Sequence, residues 1–296
     1  MQVRISNIQV VQSKEQYHVI HISLTTIQEL FHMRIGKQDK AHSAICTSTA
    51  ENITVRGHDL VEDIMGKMDF TSYFWLLVCG DVPNEKQKFF ANVVLTAIAE
   101  HGLVPSVVAA RMTLAAAPEA FQGAVAAGLN GCGSVVLGSA EIAGQFLHEI
   151  VANEDQYGSI DESAKASLNK LKAAREKVPG FGHPLHSTGD PRANRILKLA
   201  YEHQVDGKYI AASKAIEKYV PEIMNRQLPV NVNGAIPAVM LDVGFPLGAL
   251  KGISLLARTA SLVGHLQEET ENPIGFILSG KAAESISYNG VEPKHK

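Results

Sequence analysis

The chain has 296 residues and a formal net charge of −3, with 46% hydrophobic and 19% charged residues. That length holds one large domain or two coupled ones around a sizeable core. The near-neutral balance speaks against a nucleic-acid surface or a charged disordered tail. A small-molecule enzyme fits this composition.

Cys46, Cys79 and Cys132 are isolated and form no CxxC pair, so neither a zinc site nor a disulfide framework is expected. A reducing cytoplasm is the expected compartment. No run reaches the roughly 18 uncharged apolar residues of a membrane span. Residues 103–118 come nearest, and Arg111 interrupts them. No secretory signal is visible at the start, and no membrane partner is expected.

Residues 1–32 stand apart. "VRISNIQVV" and "YHVIHISL" alternate apolar and polar residues, which reads as strand, and no function attaches to them. Met33-Arg34-Ile35-Gly36 offers a second starting point for the main body. From 59 onward the pattern is helical: 59–67, 71–79, 84–101, 104–115, 117–130, 135–152, 160–176, 191–204, 208–225, 234–243 and 246–269. Gly80, Pro83, Pro105, Gly158, Pro221, Pro229, Gly244 and Pro246 punctuate the gaps. Asp190 is placed to cap a helix with Pro191 in its first position, and Ser159-Ile160-Asp161 opens an amphipathic run. The expected fold class is all-α.

The stretch "KVPGFGHPLHSTGDPRANRI", residues 177–196, carries the strongest local signal. Pro179, Gly180 and Gly182 force a turn of special dihedrals, where glycine lets backbone come close to a ligand. His183 follows, with a ring that changes charge near neutral pH. Arg192 falls in the first turn of the next helix. The helix dipole disfavours a cation there, so Arg192 needs Asp190 or a bound carboxylate as neighbour. A plain capped helix after a surface turn, with Arg192 solvated, remains open. His183 and His186 have no acidic third ligand nearby, so no metal is expected.

A second stripe lies in "PLGALKGISLLARTASLVGHLQEE". There Arg258, Ser261 and His265 share one helix face. An arginine among apolar residues is costly to bury unless paired. It forms either a buried salt bridge or a bidentate carboxylate clamp.

These residues together resemble the citrate synthase superfamily. "KVPGFGHPLHSTGDPRA" resembles its G-x-G-H turn followed by D-P-R. "ITVRGHDLVEDI", "WLLVCGDVPNEKQ", "AIAEHGLVPSVVAAR", "AAGLNGCGSVVLGSAEIA", "LPVNVNGAIPAV" and "LLARTASLVGHLQEE" resemble further elements in the family's order, from about Met33 to about Phe276.

The resemblance implies a fold of two helical domains. A large domain spans 33–136 and 234–296, a small lid-like domain spans 137–233, and 1–32 is an N-terminal extension. It implies a homodimer. It also implies chemistry that joins or splits a carbon–carbon bond between the acetyl group of a coenzyme A thioester and a 2-oxo acid. The thioester is a substrate, and no permanently bound cofactor is expected. His183 would hydrogen-bond the oxygen that changes charge. Arg192 and Arg258 would hold carboxylates, and His101 would touch the same substrate. Pro179, Gly180, Phe181 and Gly182 would offer backbone to the adenine. Lys177 or Arg175 would meet the phosphates.

Three positions depart from the family pattern. Val136 stands where the synthases carry a histidine that polarises the thioester carbonyl, and valine cannot donate. Citryl-CoA lyases, including the lyase module of ATP-citrate lyase, also lack that histidine. Asn233 closes Asn231-Val232-Asn233 where the family has its catalytic aspartate, and an amide cannot move that proton. Asp242 and His186 are the nearest substitutes in sequence. Asn272 stands where the family has a final arginine, so a substrate with fewer carboxylates than citrate fits.

The expected activity is citryl-CoA lyase-like cleavage of a 3-hydroxy-3-carboxyacyl-CoA into an acyl-CoA and a 2-oxo acid. A synthase-type condensation and a catalytically impaired acyl-CoA-binding homologue are the alternatives.

Overall fold

A computed structural model of the chain describes residues 41–182 and 189–291. The chain divides into two compact units, Met1–Ala44 and Ile45–Lys296. The strand pattern of residues 1–32 lies outside the described residues.

The larger unit is helical, with one small sheet. β1 (Cys46–Ser48), β2 (Ile53–Val55) and β3 (His58–Asp59) form an antiparallel meander. Val55 pairs with His58 across a two-residue turn, where Arg56 (φ 49°) and Gly57 (φ 86°) both adopt left-handed backbone. That is the geometry a tight hairpin needs. The sequence reading assigned no strand here. A helix expected over 59–67 is a single π turn, Leu60–Ile64, capped by Asp59. It stops where Met65 turns extended and Gly66 goes left-handed.

The helices follow in order: α1 (Phe70–Cys79), α2 (Glu85–Ala99), α3 (Pro105–Ala116), α4 (Phe121–Asn130), α5 (Ser139–Ala152), α6 (Glu154–Tyr157), α7 (Ile160–Ala174), α8 (Pro191–Glu202), α9 (Lys208–Met224), α10 (Val232–Asp242), α11 (Leu250–Glu271) and α12 (Gly275–Ser285). Local chemistry sets the boundaries. Asn84 and Gln87 form a reciprocal capping box at α2, Ser159 caps α7 and Asp190 caps α8.

Three expected boundaries move. The helix drawn from 117 begins at Phe121, because Ala117 precedes Pro118 and takes non-helical dihedrals. The helix drawn from 135 begins at Ser139, after a turn closed by Gly138 N–H donating to Gly133 O at 2.9 Å. Pro221 does not break the chain, since it lies in the last turns of α9. The run from 246 starts as a short 3₁₀ turn and continues to Glu271. α6 and α12 were not expected.

α10 is apolar on every side and buried almost throughout, packed against α5, α8 and α9. α5 comes close to α10 and α11 through Gly144, where a Cβ would lie 3.2 Å from Pro237 Cβ and 2.4 Å from Leu250 Cδ1. α9 has no N-cap side chain of its own. Asp242, at the end of α10, accepts from the N–H groups of Gly207 (3.0 Å), Tyr209 (3.0 Å) and Ile210 (2.9 Å) and serves as a remote cap.

A second, smaller core joins α3, α4 and α11 through Val107, Leu114, Ala124, Leu262 and Leu266. Beside it Arg111, which interrupts the apolar run of α3, is buried. Its Nε donates to Glu269 at 2.6 Å, Nη1 to Glu268 at 2.6 Å and Nη2 to the Asn272 carbonyl at 3.0 Å. Glu269 also accepts from Gly275 N–H at 2.7 Å, so one buried pair ties α3, α11 and α12 together. Among the described residues, no helix is long and apolar enough to cross a membrane.

Candidate functional site

The glycine-rich turn and the Asn231–Asn233 segment, 50 residues apart in sequence, are fastened to each other. Asn231 N–H donates to Gly180 O at 2.9 Å, and Gly182 N–H donates to Pro229 O at 2.8 Å. The Asn231 side chain donates from Nδ2 to Gly182 O at 2.7 Å, while its Oδ1 caps α10 by accepting from Asn233 N–H at 2.9 Å. Gly180 has φ 82°, and a Cβ there would sit 2.7 Å from Gly234 Cα. A Cβ on Gly234 would in turn lie 2.4 Å from Gly180 O. The close approach that these glycines permit is therefore between two backbone segments of this chain. Phe181 and Val178 are buried beneath the turn. His183 and His186 lie outside the described residues. Asn233 is half-buried, and its side chain makes no hydrogen bond to a described residue.

Asp190 joins the same cluster from α8. It is 1% exposed. Its Oδ1 accepts from Arg192 N–H (3.0 Å) and Nε (3.1 Å), and its Oδ2 accepts from Arg192 Nη2 (2.9 Å) and Val232 N–H (3.1 Å). Burial raises the Asp190 carboxyl, but these donors outweigh it and hold the group below the ordinary carboxylate value. The anionic neighbour that Arg192 requires is thus its own cap.

Arg258, on α11, is 3% exposed, and its Nε and Nη1 have no hydrogen-bond partner. The buried salt bridge left open by the sequence does not form among the described residues. Burial pushes the guanidinium down; the charge of Glu100 pulls it up and that of Arg192 pushes it further down. Arg192 and Arg258 are thus within electrostatic reach of each other. The Cys132 thiol, which donates to Gly128 O at 3.5 Å, is raised by burial, and the Arg258 charge lowers it. Ser106 Oγ is also buried without a partner. Val136 is half-buried at the edge of the main core.

Glu100 is a residue that the sequence reading passed over. It ends α2, and its Oε1 accepts from His101 N–H at 2.9 Å and Gly102 N–H at 2.5 Å. Its Oε2 accepts from Ser261 Oγ at 2.5 Å and meets His265 Nε2 at 3.0 Å. Partial burial raises this carboxyl, but the Ser261 and His265 bonds prevail and bring it down to about 2. The helix face Arg258–Ser261–His265 therefore splits: two members hold Glu100, while Arg258 has no hydrogen bond. His101 is exposed beside them.

Asp242, nominated as a substitute acid, is fully engaged at the start of α9 and cannot serve. Asn272 is exposed, and its carbonyl belongs to the Arg111 cluster. A pocket of about 420 Å³ is lined by the cations Lys172, Arg175, Lys177 and Arg226, the anion Glu176, and apolar residues that include Phe181 and Leu228. The excess of cations beside apolar residues suits a ligand with phosphates and a flat ring. The described residues contain no cluster of metal-ligating side chains.

The family model described as citrate synthase, C-terminal domain, matches residues 88–276. A probable ATP-citrate synthase of Dictyostelium discoideum is 24% identical over 262 residues, 82% of this chain and 40% of that protein. A citrate synthase of Haloferax volcanii is 26% identical over 221 residues, 73% of this chain and 55% of that protein. The chain thus spans roughly half the length of these curated relatives. The solved structure of a citryl-CoA lyase from Hydrogenobacter thermophilus superposes with a TM-score of 0.77 at 24% identity, covering 86% of this chain and 97% of that one. An ATP citrate lyase from Methanothrix soehngenii, solved with citrate and coenzyme A, superposes at 0.69 with 19% identity, covering 96% of this chain and 47% of that one. The all-α expectation and the family resemblance both stand.

Proposed function

Because the chain belongs to the citrate synthase family, we propose that it is a carbon–carbon lyase of the citryl-CoA type. It cleaves a 3-hydroxy-3-carboxyacyl-CoA into an acyl-CoA and a 2-oxo acid. The observation that carries this reading is the buried Arg258 guanidinium, whose Nε and Nη1 have no hydrogen-bond partner. A buried cation in that state is complementary to an incoming carboxylate.

In this reading His183 takes the proton of the C3 hydroxyl. The C2–C3 bond breaks, its electron pair passes to the thioester as an enolate, and the C3 oxygen becomes the ketone of the 2-oxo acid. A proton then reaches C2 to give the acyl-CoA. Arg258, with Arg192, holds the carboxylate, and His101 contacts the same substrate. Coenzyme A lies against Pro179, Gly180, Phe181 and Gly182, with its phosphates on Lys177 and its neighbours in the basic pocket.

Residues 137–233 act as the small domain and close on the large one, which excludes water from the enolate. The working unit is a homodimer in the cytoplasm. Val136 is the departure shared with citryl-CoA lyases and supports cleavage, while at Asn233 the usual proton-transfer group is absent for either direction.

Incubation with (3S)-citryl-CoA and methyl-substituted analogues, with assay of the 2-oxo acid and acyl-CoA released, tests this directly. Turnover supports it. Binding of these thioesters without any product identifies the chain as an acyl-CoA-binding homologue and ends the lyase reading. Exchange of acetyl-CoA methyl protons with deuterated solvent identifies the condensing alternative.

A further inference from the structure

A cleft of about 520 Å³ lies between α2 and α8. Its walls are apolar: Phe89, Val93 and Ala97 from α2, and Pro191 and Ile196 from α8. The polar residues along it are Asn92, Thr96, Arg192 and Arg195, and Arg195 is mostly exposed with Nη1 3.8 Å from Glu202. Thr96 Oγ1 donates to Asn92 O at 2.8 Å, and Asn92 Oδ1 accepts from Thr71 at 2.7 Å. Phe89 is held by stacking on His203, with ring centroids 4.0 Å apart, so this wall is preformed.

The cleft runs towards the candidate site. Ala97 is one turn before Glu100 and His101, and Arg192 lines the cleft at the start of α8. The Asp190 pair uses Nε and Nη2 of Arg192, and Nη1 has no described partner. Asn272, which replaces the family's final arginine, is exposed and bound into the Arg111 cluster through its carbonyl. By the family resemblance Asn272 leaves the substrate one cation fewer, and a largely apolar trough adjoins Arg192.

Resting on the lyase reading, we infer that the cleft between α2 and α8 holds an unbranched alkyl arm of the 2-oxo acid, in place of the carboxymethyl arm of oxaloacetate. The substrate class is then a 3-hydroxy-3-carboxyacyl-CoA with an aliphatic substituent on C3. Its carboxylate lies between Arg258 and Nη1 of Arg192, and its chain runs past the aliphatic stem of Arg192 along α8. An oxaloacetate arm would instead place a carboxylate among Val93, Ala97 and Ile196, where the one further cation of the cleft, Arg195, is mostly exposed and faces Glu202, so the burial is poorly compensated.

The test is titration calorimetry of the full chain with coenzyme A present, using pyruvate, 2-oxobutanoate, 2-oxohexanoate and oxaloacetate. Affinity is expected to rise with chain length, by up to about fourfold per methylene placed in an apolar site. Oxaloacetate is expected to bind more weakly than 2-oxohexanoate. Ala97→Phe, which fills the cleft, should flatten the series towards the pyruvate value. Val93→Thr keeps the volume and should flatten it in part, so it decides the matter if Ala97→Phe does not fold. Pyruvate binding with a flat series, or a rising series that neither variant alters, overturns the cleft assignment and leaves the lyase reading standing. Absence of binding by all four acids overturns both.

Discussion

Replacing Arg258 by methionine should make the ligand-free protein more stable and ligand binding far weaker. The wild-type side chain is 3% exposed and leaves Nε and Nη1 without partners. Each unsatisfied buried donor costs roughly 1–3 kcal/mol. Removing both offsets about 2–4 kcal/mol once the lost attraction to the half-exposed Glu100 is subtracted. Methionine follows the same path as the arginine stem and keeps most of its packing. A net gain of about 1–3 kcal/mol corresponds to a rise in melting temperature of roughly 2–10 °C for a chain of this size. The cost falls on function. A charge-assisted bidentate contact to a carboxylate disappears, and affinity for the 2-oxo acid should drop by roughly two orders of magnitude. Differential scanning calorimetry without ligand, and again with coenzyme A and a 2-oxo acid, reads both effects. A variant that melts several degrees lower without ligand would refute the reasoning, because it would show that the guanidinium serves the scaffold.

Three further outcomes are expected. The Glu100 carboxyl, normally at 4.5 and brought down to about 2 in the fold, contributes stability that is present above its unfolded value and lost as pH falls from about 4.5 towards 2. Screening at this half-exposed group limits the contribution to about 1 kcal/mol, and Glu100→Gln should flatten the acid limb of a stability–pH curve in that window. Asp190→Asn breaks a buried pair and should lower stability by about 2–3 kcal/mol, the low end of the usual range because the Arg192 side chain is 23% exposed; the midpoint of urea unfolding measures it. Lys177→Ala with Arg226→Ala should weaken coenzyme A binding several-fold at low salt, and the gap should narrow near 1 M salt, as fluorescence titration would read.

Helices whose ends carry their own chemistry are legible in the sequence. Asp190-Pro191 and Ser159 announce themselves through residues within one turn of the boundary. α9 starts without such a signal because its cap, Asp242, comes from another helix. The short sheet is hidden because its tight turn uses Arg56-Gly57 and not an Asn-Gly pair. The same limit applies to the site. Gly180 reads as a special dihedral, and it is one, at φ 82°. That its neighbour would be Gly234 is information held in the tertiary approach of two segments. Arg258, Ser261 and His265 are correctly placed on one face by periodicity. Only the position of Glu100, at the end of α2, divides that face between a structural carboxylate and a cation left without a hydrogen bond.

In the lyase reading the enolate at C2 needs a proton, and the described acids narrow its source. Glu100 and Asp190 are both held ionised by their donors, and Asp242 is occupied with three backbone N–H groups. Glu100 and Asp190 therefore have no proton to give, and Asp242, raised by burial, has both oxygens engaged in capping α9. Asn233 sits at the start of α10, half-buried, with its side chain unbonded among the described residues. As an amide it can donate to an enolate oxygen and stabilise it without transferring a proton. Cleavage would then leave an enolate whose proton comes from a donor other than these three acids. Asn233→Asp should therefore lower the cleavage rate, through lost donation and repulsion of the enolate, and should raise exchange of acetyl-CoA methyl protons with deuterated solvent. If cleavage accelerates in this variant, the asparagine is a deficit that the carboxylate repairs, and its assignment as a hydrogen-bond donor is wrong.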